Sequence, residues 1–142
     1  MNPFQRGKSF VSRPLMKYTR YVEAKQMNKS MPDVVVKDLD SQELSWTALD
    51  GSKRTAVKLR TVFVGRGTYL PGWKWSDHVG KKTGKTSQAH IGYIVSGQMI
   101  VKGIDGKEVA VGPGDAFEVT PGHDAWVVGN EPCVALDFGN LP

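Results

Sequence analysis

The sequence predicts an all-β protein, an antiparallel sandwich or barrel built from many short strands. Three observations carry that prediction. Runs of about four to eight residues rich in β-branched and aromatic side chains recur along the chain. Turn dipeptides punctuate them at Asp50-Gly51, Ser96-Gly97, Asp105-Gly106, Pro121-Gly122 and Gly129-Asn130. Helical periodicity is absent apart from a weak pattern within residues 14–27.

Taken in order, residues 34–36 are three valines and read as a strand. Residues 45–49 lead through Asp50-Gly51, a hairpin signal, into a β-branched, partly alternating run at residues 55–64. Residues 73–79 and 90–95 read as strands separated by a glycine- and lysine-rich stretch at residues 80–86. Residues 98–101, 107–111, 116–119, a strand ending at Val128 and residues 133–138 complete the set, each introduced by one of the turns.

A chain of 142 residues is about one domain and buries a core without disulfides or a structural metal. The 39% hydrophobic and 23% charged fractions are those of an ordinary globular protein, and 16 glycines suit tight turns. Cys133 is the one cysteine and lies in an apolar run, so a buried thiol is expected. No stretch reaches the roughly 20 apolar residues of a membrane helix, so no membrane partner is expected. The N-terminus has no apolar signal region, and a cytoplasmic location is the expectation.

The net charge of +5 is uneven. Residues 1–30 carry seven basic side chains against Glu23 alone, whereas residues 31–142 are almost neutral. Residues 1–30 therefore read as a basic N-terminal arm, and Met31-Pro32 as the start of a β-barrel domain over residues 31–142. The arm lacks the aromatic-interleaved basic pattern of a nucleic-acid binder, and no nucleic-acid partner is expected.

Chemistry concentrates in two segments. The first runs Gly72-Trp73-Lys74-Trp75-Ser76-Asp77-His78, then His90-Ile91-Gly92-Tyr93-Ile94-Val95-Ser96-Gly97. The second is Gly114-Asp115-Ala116-Phe117-Glu118-Val119-Thr120-Pro121-Gly122. Together they resemble the two motifs of the cupin superfamily, in order and spacing, over roughly residues 55–138. The resemblance implies a cupin-type antiparallel jelly-roll barrel, a homodimer paired through its sheets, and a small molecule bound inside the barrel. It does not choose among oxygenase, isomerase and lyase chemistry.

The motifs are degenerate. Gly80 stands where the second histidine of the first motif belongs, and His90 stands where its glutamate belongs. In the second motif Thr120 replaces proline, Ala125 replaces histidine and Gly129 replaces asparagine. Yet His78, His90 and His123, the three histidines of the chain, all fall in these segments. Three imidazoles make the ligand set of an open metal site that keeps a position for water or substrate. Imidazole ligation suits Zn, Fe, Ni or Cu. The expected function is a small metal-binding cupin acting on, or binding, a small organic and possibly anionic molecule. The alternative is a metal-free, non-enzymatic barrel whose histidines line a ligand pocket.

Trp75 and Trp126 are expected to wall that pocket, since ligand cavities are mainly apolar. By alternation from His90, Gly92 and Ile94 share its inward face and Tyr93 points outward. Lys81 and Lys82 would attract an anionic substrate from the loop that follows His78. That loop is no phosphate-binding loop, because it has three residues between its glycines and a strand after it.

Overall fold

In the computed structural model, residues 19–23 and 33–140 are described. Chain contacts divide the protein into two compact units, residues 1–36 and residues 37–142, and the strands among the described residues lie in the second. The expected basic arm falls mostly outside the described residues, of which 19–23 are helical. Among the described residues no helix is long and apolar enough to cross a membrane.

Nine strands form the second unit: β1 (Leu44–Thr47), β2 (Lys53–Lys58), β3 (Val62–Tyr69), β4 (His90–Ser96), β5 (Gln98–Lys102), β6 (Glu108–Val111), β7 (Ala116–Val119), β8 (Asp124–Val128) and β9 (Cys133–Asn140). They make a six-stranded sheet, β1-β2-β3-β9-β4-β7, and a three-stranded sheet, β6-β5-β8, with every pairing antiparallel. The all-β prediction holds, and the architecture is a jelly roll. Its core is Ile94, Met99, Val101, Val111, Val119, Ala125, Val127 and Cys133, with Ala48 and Trp73. Burial raises the Cys133 thiol to about 11, so it is inert at neutral pH.

The β1–β2 hairpin forms at Asp50-Gly51 as expected. Ala48 donates to the Ser52 carbonyl (2.8 Å), Gly51 takes φ +90°, and the Asp50 carboxylate accepts from the Ser52 amide (3.0 Å) and hydroxyl (2.9 Å). Asn and Asp favour such turns because their side chains replace a backbone partner.

Three sequence expectations fail. Residues 55–64 are not one strand but the end of β2, a turn at Arg60-Thr61, and the start of β3. Leu59 donates to the Val62 carbonyl across that turn (2.9 Å), and neither central residue has a positive φ, so no glycine marks it. The valines at 34–36 are not a strand: three β-branched side chains promote a strand only where a neighbour offers a ladder. Residues 73–79 begin with a single bridge, Lys74 to Trp126, and then coil into a π-helical turn, Ser76–Gly80, and an α-helical turn, Lys81–Thr83. Asp124 draws the chain away from the strand by accepting from the Ser76 amide (3.0 Å) and hydroxyl (2.8 Å). Gly84, at φ +65°, ends the helical segment.

Ser96-Gly97 forms a turn where the sequence predicts one. It joins no hairpin but carries the chain from the large sheet to the small one, with Gly97 at φ +76°.

Candidate ligand site at one end of the barrel

His90 opens β4, and His123 immediately precedes β8. The segment before each strand is stitched to the other: the Ser87 hydroxyl donates to the His123 carbonyl (2.5 Å), and the Gly122 amide donates to the Ser87 carbonyl (3.0 Å). Ser87 is buried, so these bonds are shielded from competing water. The stitch sets the two imidazoles edge to face with centroids 5.0 Å apart. Phe117 of β7 flanks His90 at 6.4 Å.

Each of the two rings is fixed through Nδ1. His90 Nδ1 lies 3.0 Å from the Gln88 carbonyl and His123 Nδ1 lies 2.8 Å from the Thr120 carbonyl. A carbonyl only accepts, so each Nδ1 carries a proton, and in the neutral ring Nε2 is left as the basic nitrogen. Burial holds the His123 pKa below its ordinary value. The Thr120 carbonyl opposes that shift and His90 adds to it. A neutral His123 thus keeps its Nε2 lone pair near neutral pH.

His78 stands differently. It sits in the π-helical turn, where its Nδ1 is 2.9 Å from the Lys74 amide nitrogen. The same Nδ1 lies 3.0 Å from the Lys74 carbonyl oxygen, so the Lys74 backbone occupies this ring nitrogen. The His78 backbone carbonyl accepts from Leu49 of the β1–β2 loop. His78 therefore works as a clasp between the helical turn and neighbouring backbone. The structure brings His90 and His123 together and leaves His78 apart from them. Among the described residues no group of three or more His, Cys, Asp or Glu is arranged to hold a metal ion. A three-imidazole set does not fit this geometry.

The expected walls and cations are distributed otherwise. Trp75 is half-buried, packs on the core and lies under Gly80, where a Cβ would stand 2.8 Å from the indole. Trp126 does not wall the interior. Its neighbours Ala125 and Val127 are buried, so alternation turns Trp126 to the outside of the small sheet, beneath the Lys74 ammonium at 5.4 Å. Lys82 donates to the Thr47 carbonyl and lies 6.0 Å above the Trp46 ring, so its cation is engaged at the edge of β1. Lys81 is exposed on the helical turn. Tyr93 points outward as alternation requires, 40% exposed beside a fully buried Ile94.

Sequence reading missed a polar group inside the barrel. Register places Arg54 opposite Gly67 and Asp137 opposite Gly65, on the face that carries Tyr69, Ala135 and Cys133. Arg54 donates to Asp137 through Nε (3.1 Å) and Nη2 (2.5 Å), a two-point ion pair. Burial disfavours the Arg54 charge, but Asp137 more than offsets this and the pKa lies above its ordinary value. Burial, reinforced by Asp137, raises the Tyr69 phenol far above its usual range. The sequence signal was Gly65-Arg66-Gly67: alternate glycines within a strand mark a face where something approaches the backbone closely. Diagonal positions in an antiparallel pair are about 7–8 Å apart. Since Gly92 pairs with Asp137, His90 is such a diagonal neighbour of Asp137.

Two antiparallel sheets with polar side chains gathered at strand ends and within the interior define a small jelly-roll barrel. Residues 73–139 match the family model for the cupin domain, and this segment belongs to the cupin superfamily. Among solved structures the chain is similar to a cupin-superfamily sugar phosphate isomerase from Silicibacter pomeroyi (18% identity, TM-score 0.56, 75% of this chain and 76% of that one). It is also similar to KdgF from a Halomonas species (19% identity, TM-score 0.54, 75% and 96%) and to an RmlC-like cupin from Shewanella frigidimarina (19% identity, TM-score 0.51, 71% and 86%). At these identities the likeness is one of fold. The curated proteins contain no significant match.

Proposed function

We propose that this cupin binds a small organic molecule inside its barrel, with the His90–His123 pair as the polar anchor at the open end. The observation that carries the reading is the pair itself. Two imidazoles, one of them buried, are locked through Nδ1 and leave their Nε2 edges unused by other described residues. Such convergent polar groups against aromatic surface, here Phe117, are what fix a ligand's orientation in a cupin-sized site. The anionic character expected of the ligand is supported by an arginine within the barrel.

A second reading gives the pair a divalent transition metal. It is favoured by the Nδ1-to-carbonyl bonds, which orient metal-bound histidines and leave Nε2 as donor. His90 and His123 would hold the ion, which would supply Lewis acidity. Elemental analysis of wild type and His90→Ala separates the readings. About one Zn, Fe, Ni or Cu per chain, lost in the variant, establishes the metal reading. No metal in either protein leaves the organic ligand on the histidines alone.

We also propose that a second copy of the chain covers the outer face of the six-stranded sheet. Ile91, Tyr93 and Val95 line up there, 51%, 40% and 48% exposed, and Ile91 and Tyr93 pair with Phe138 and Leu136 on β9. An aligned apolar stripe suits a two-fold, face-to-face contact. Light scattering is expected to find a dimer, and Ile91→Lys a monomer; a monomeric wild type would refute the contact.

A further inference from the structure

We infer that Arg54, held in place by Asp137, is the carboxylate-recognising group of the barrel interior, and that the ligand class is a small organic acid with a second oxygen function. This rests on the reading of the interior as a ligand site. Around the ion pair, glycines replace side-chain-bearing residues on the inner face of the sheet, and neighbouring side chains fill the room they leave. A Cβ at Gly65 would stand 2.4 Å from Asp137 Oδ1 and 2.5 Å from Arg54 Nη2, and at Gly67 it would stand 2.3 Å from the Tyr69 hydroxyl. A Cβ at Gly92 would enter the Phe117 ring and one at Gly139 the Phe63 ring, each within 2.5 Å. Side chains on this face thus lie flat on bare backbone, and glycines make the room that lodges a charged fork among aromatic rings.

An ion pair in such a place is weak evidence of stabilisation, since taking both charges from water costs about what their attraction returns. What the pair does well is orient. Asp137 takes Nε and one Nη2 proton, and the Arg54 guanidinium lies 5.4 Å from the Phe63 ring centroid, so the plane of the fork is set. The Nη1 protons meet no acceptor among the described residues, and the Arg54 side chain keeps 28% of its surface open although it lies within the barrel. A guanidinium edge that is fixed and unpaired matches a carboxylate, which takes two parallel N–H bonds. Trp73, whose ring stacks on Tyr69 with centroids 4.2 Å apart, adds a buried indole N–H with no partner. A buried donor of this kind is normally satisfied by water or ligand. Because Asp137 offsets the charge, selection comes from hydrogen-bond geometry more than from net attraction.

His90 is a diagonal neighbour of Asp137, about 7–8 Å away along the sheet, so a ligand whose carboxylate meets the Arg54 fork extends its second oxygen function toward His90. The test uses the full chain and straight-chain ω-hydroxy acids from glycolate to 6-hydroxyhexanoate, each beside its uncharged primary amide, with binding read by protein-detected NMR. Wild type is expected to prefer an acid over its amide by about tenfold or more. Arg54→Gln should abolish that preference. Asp137→Asn should enlarge it, because the guanidinium charge is no longer offset, whereas a merely structural pair predicts no gain. Equal binding of acids and amides, or a preference that survives Arg54→Gln, overturns the role of Arg54 and leaves the barrel as a ligand site. Binding of neither series removes the ligand-site reading, and this inference with it. Should Arg54→Gln not fold, Asp137→Asn decides: an unchanged or reduced acid preference overturns the assignment.

Discussion

Gly97→Ala is expected to destabilise the protein by about 3 kcal/mol or more, with a fall in melting temperature of roughly 10 °C. Two costs combine. The residue takes φ +76°, where any Cβ is strained by about 1–2 kcal/mol. The new Cβ would also stand 2.3 Å from the Pro132 carbonyl oxygen and 2.6 Å from the Cys133 Cα. Both are backbone atoms at the start of β9, which pairs with β3 and β4 and cannot retreat without breaking two ladders. Gly106→Ala is the control, since it has φ +82° with nothing within 4 Å of the added carbon, and should cost only the backbone strain. Equal losses for the two variants, measured by thermal or urea unfolding, would show that β9 does not crowd the crossing.

The second large effect is expected at Trp73, where Trp73→Ala should cost about 4 kcal/mol through lost burial and the cavity left behind. The side chain is 3% exposed and stacks on Tyr69. Its backbone ties the large sheet to the small one: the Trp73 amide donates to the Leu70 carbonyl (3.0 Å), and its carbonyl accepts from Val127 (2.9 Å). Trp73→Phe should cost much less, because most of the apolar volume stays and the unpartnered indole N–H disappears. A urea midpoint for Trp73→Ala within error of wild type would remove this residue from the core.

These effects bear on function through the same framework. Gly97 is where the chain leaves the large sheet for the small one, and the small sheet carries β8, hence His123. The large sheet carries His90 and the Arg54–Asp137 pair. A slip at the crossing would move one half of the proposed site relative to the other. Preorganised contacts lose much of their worth over displacements of about 1 Å.

What could be read from the residue order follows short-range physics. Turn chemistry marked Asp50-Gly51 and Asp105-Gly106, period-two alternation sent Ile94 inward and Tyr93 outward, and glycine spacing with paired motifs identified the superfamily. Each of these depends on backbone conformation within a few residues. The break at Arg60-Thr61 escaped because the turn needs no glycine, and the helical turn at Ser76–Gly80 escaped because its cause, Asp124, lies 48 residues away. The same holds for the site. All three histidines stood out by residue type, but which of them meet depended on Ser87 tying two segments together and on the Lys74 backbone claiming His78. Arg54 and Asp137 are 83 residues apart and become partners only when β3 lies between β2 and β9. Strand periodicity is local and therefore legible in the sequence; sheet order and register are long-range contacts, and only the tertiary structure decides which strands, and so which polar groups, face one another.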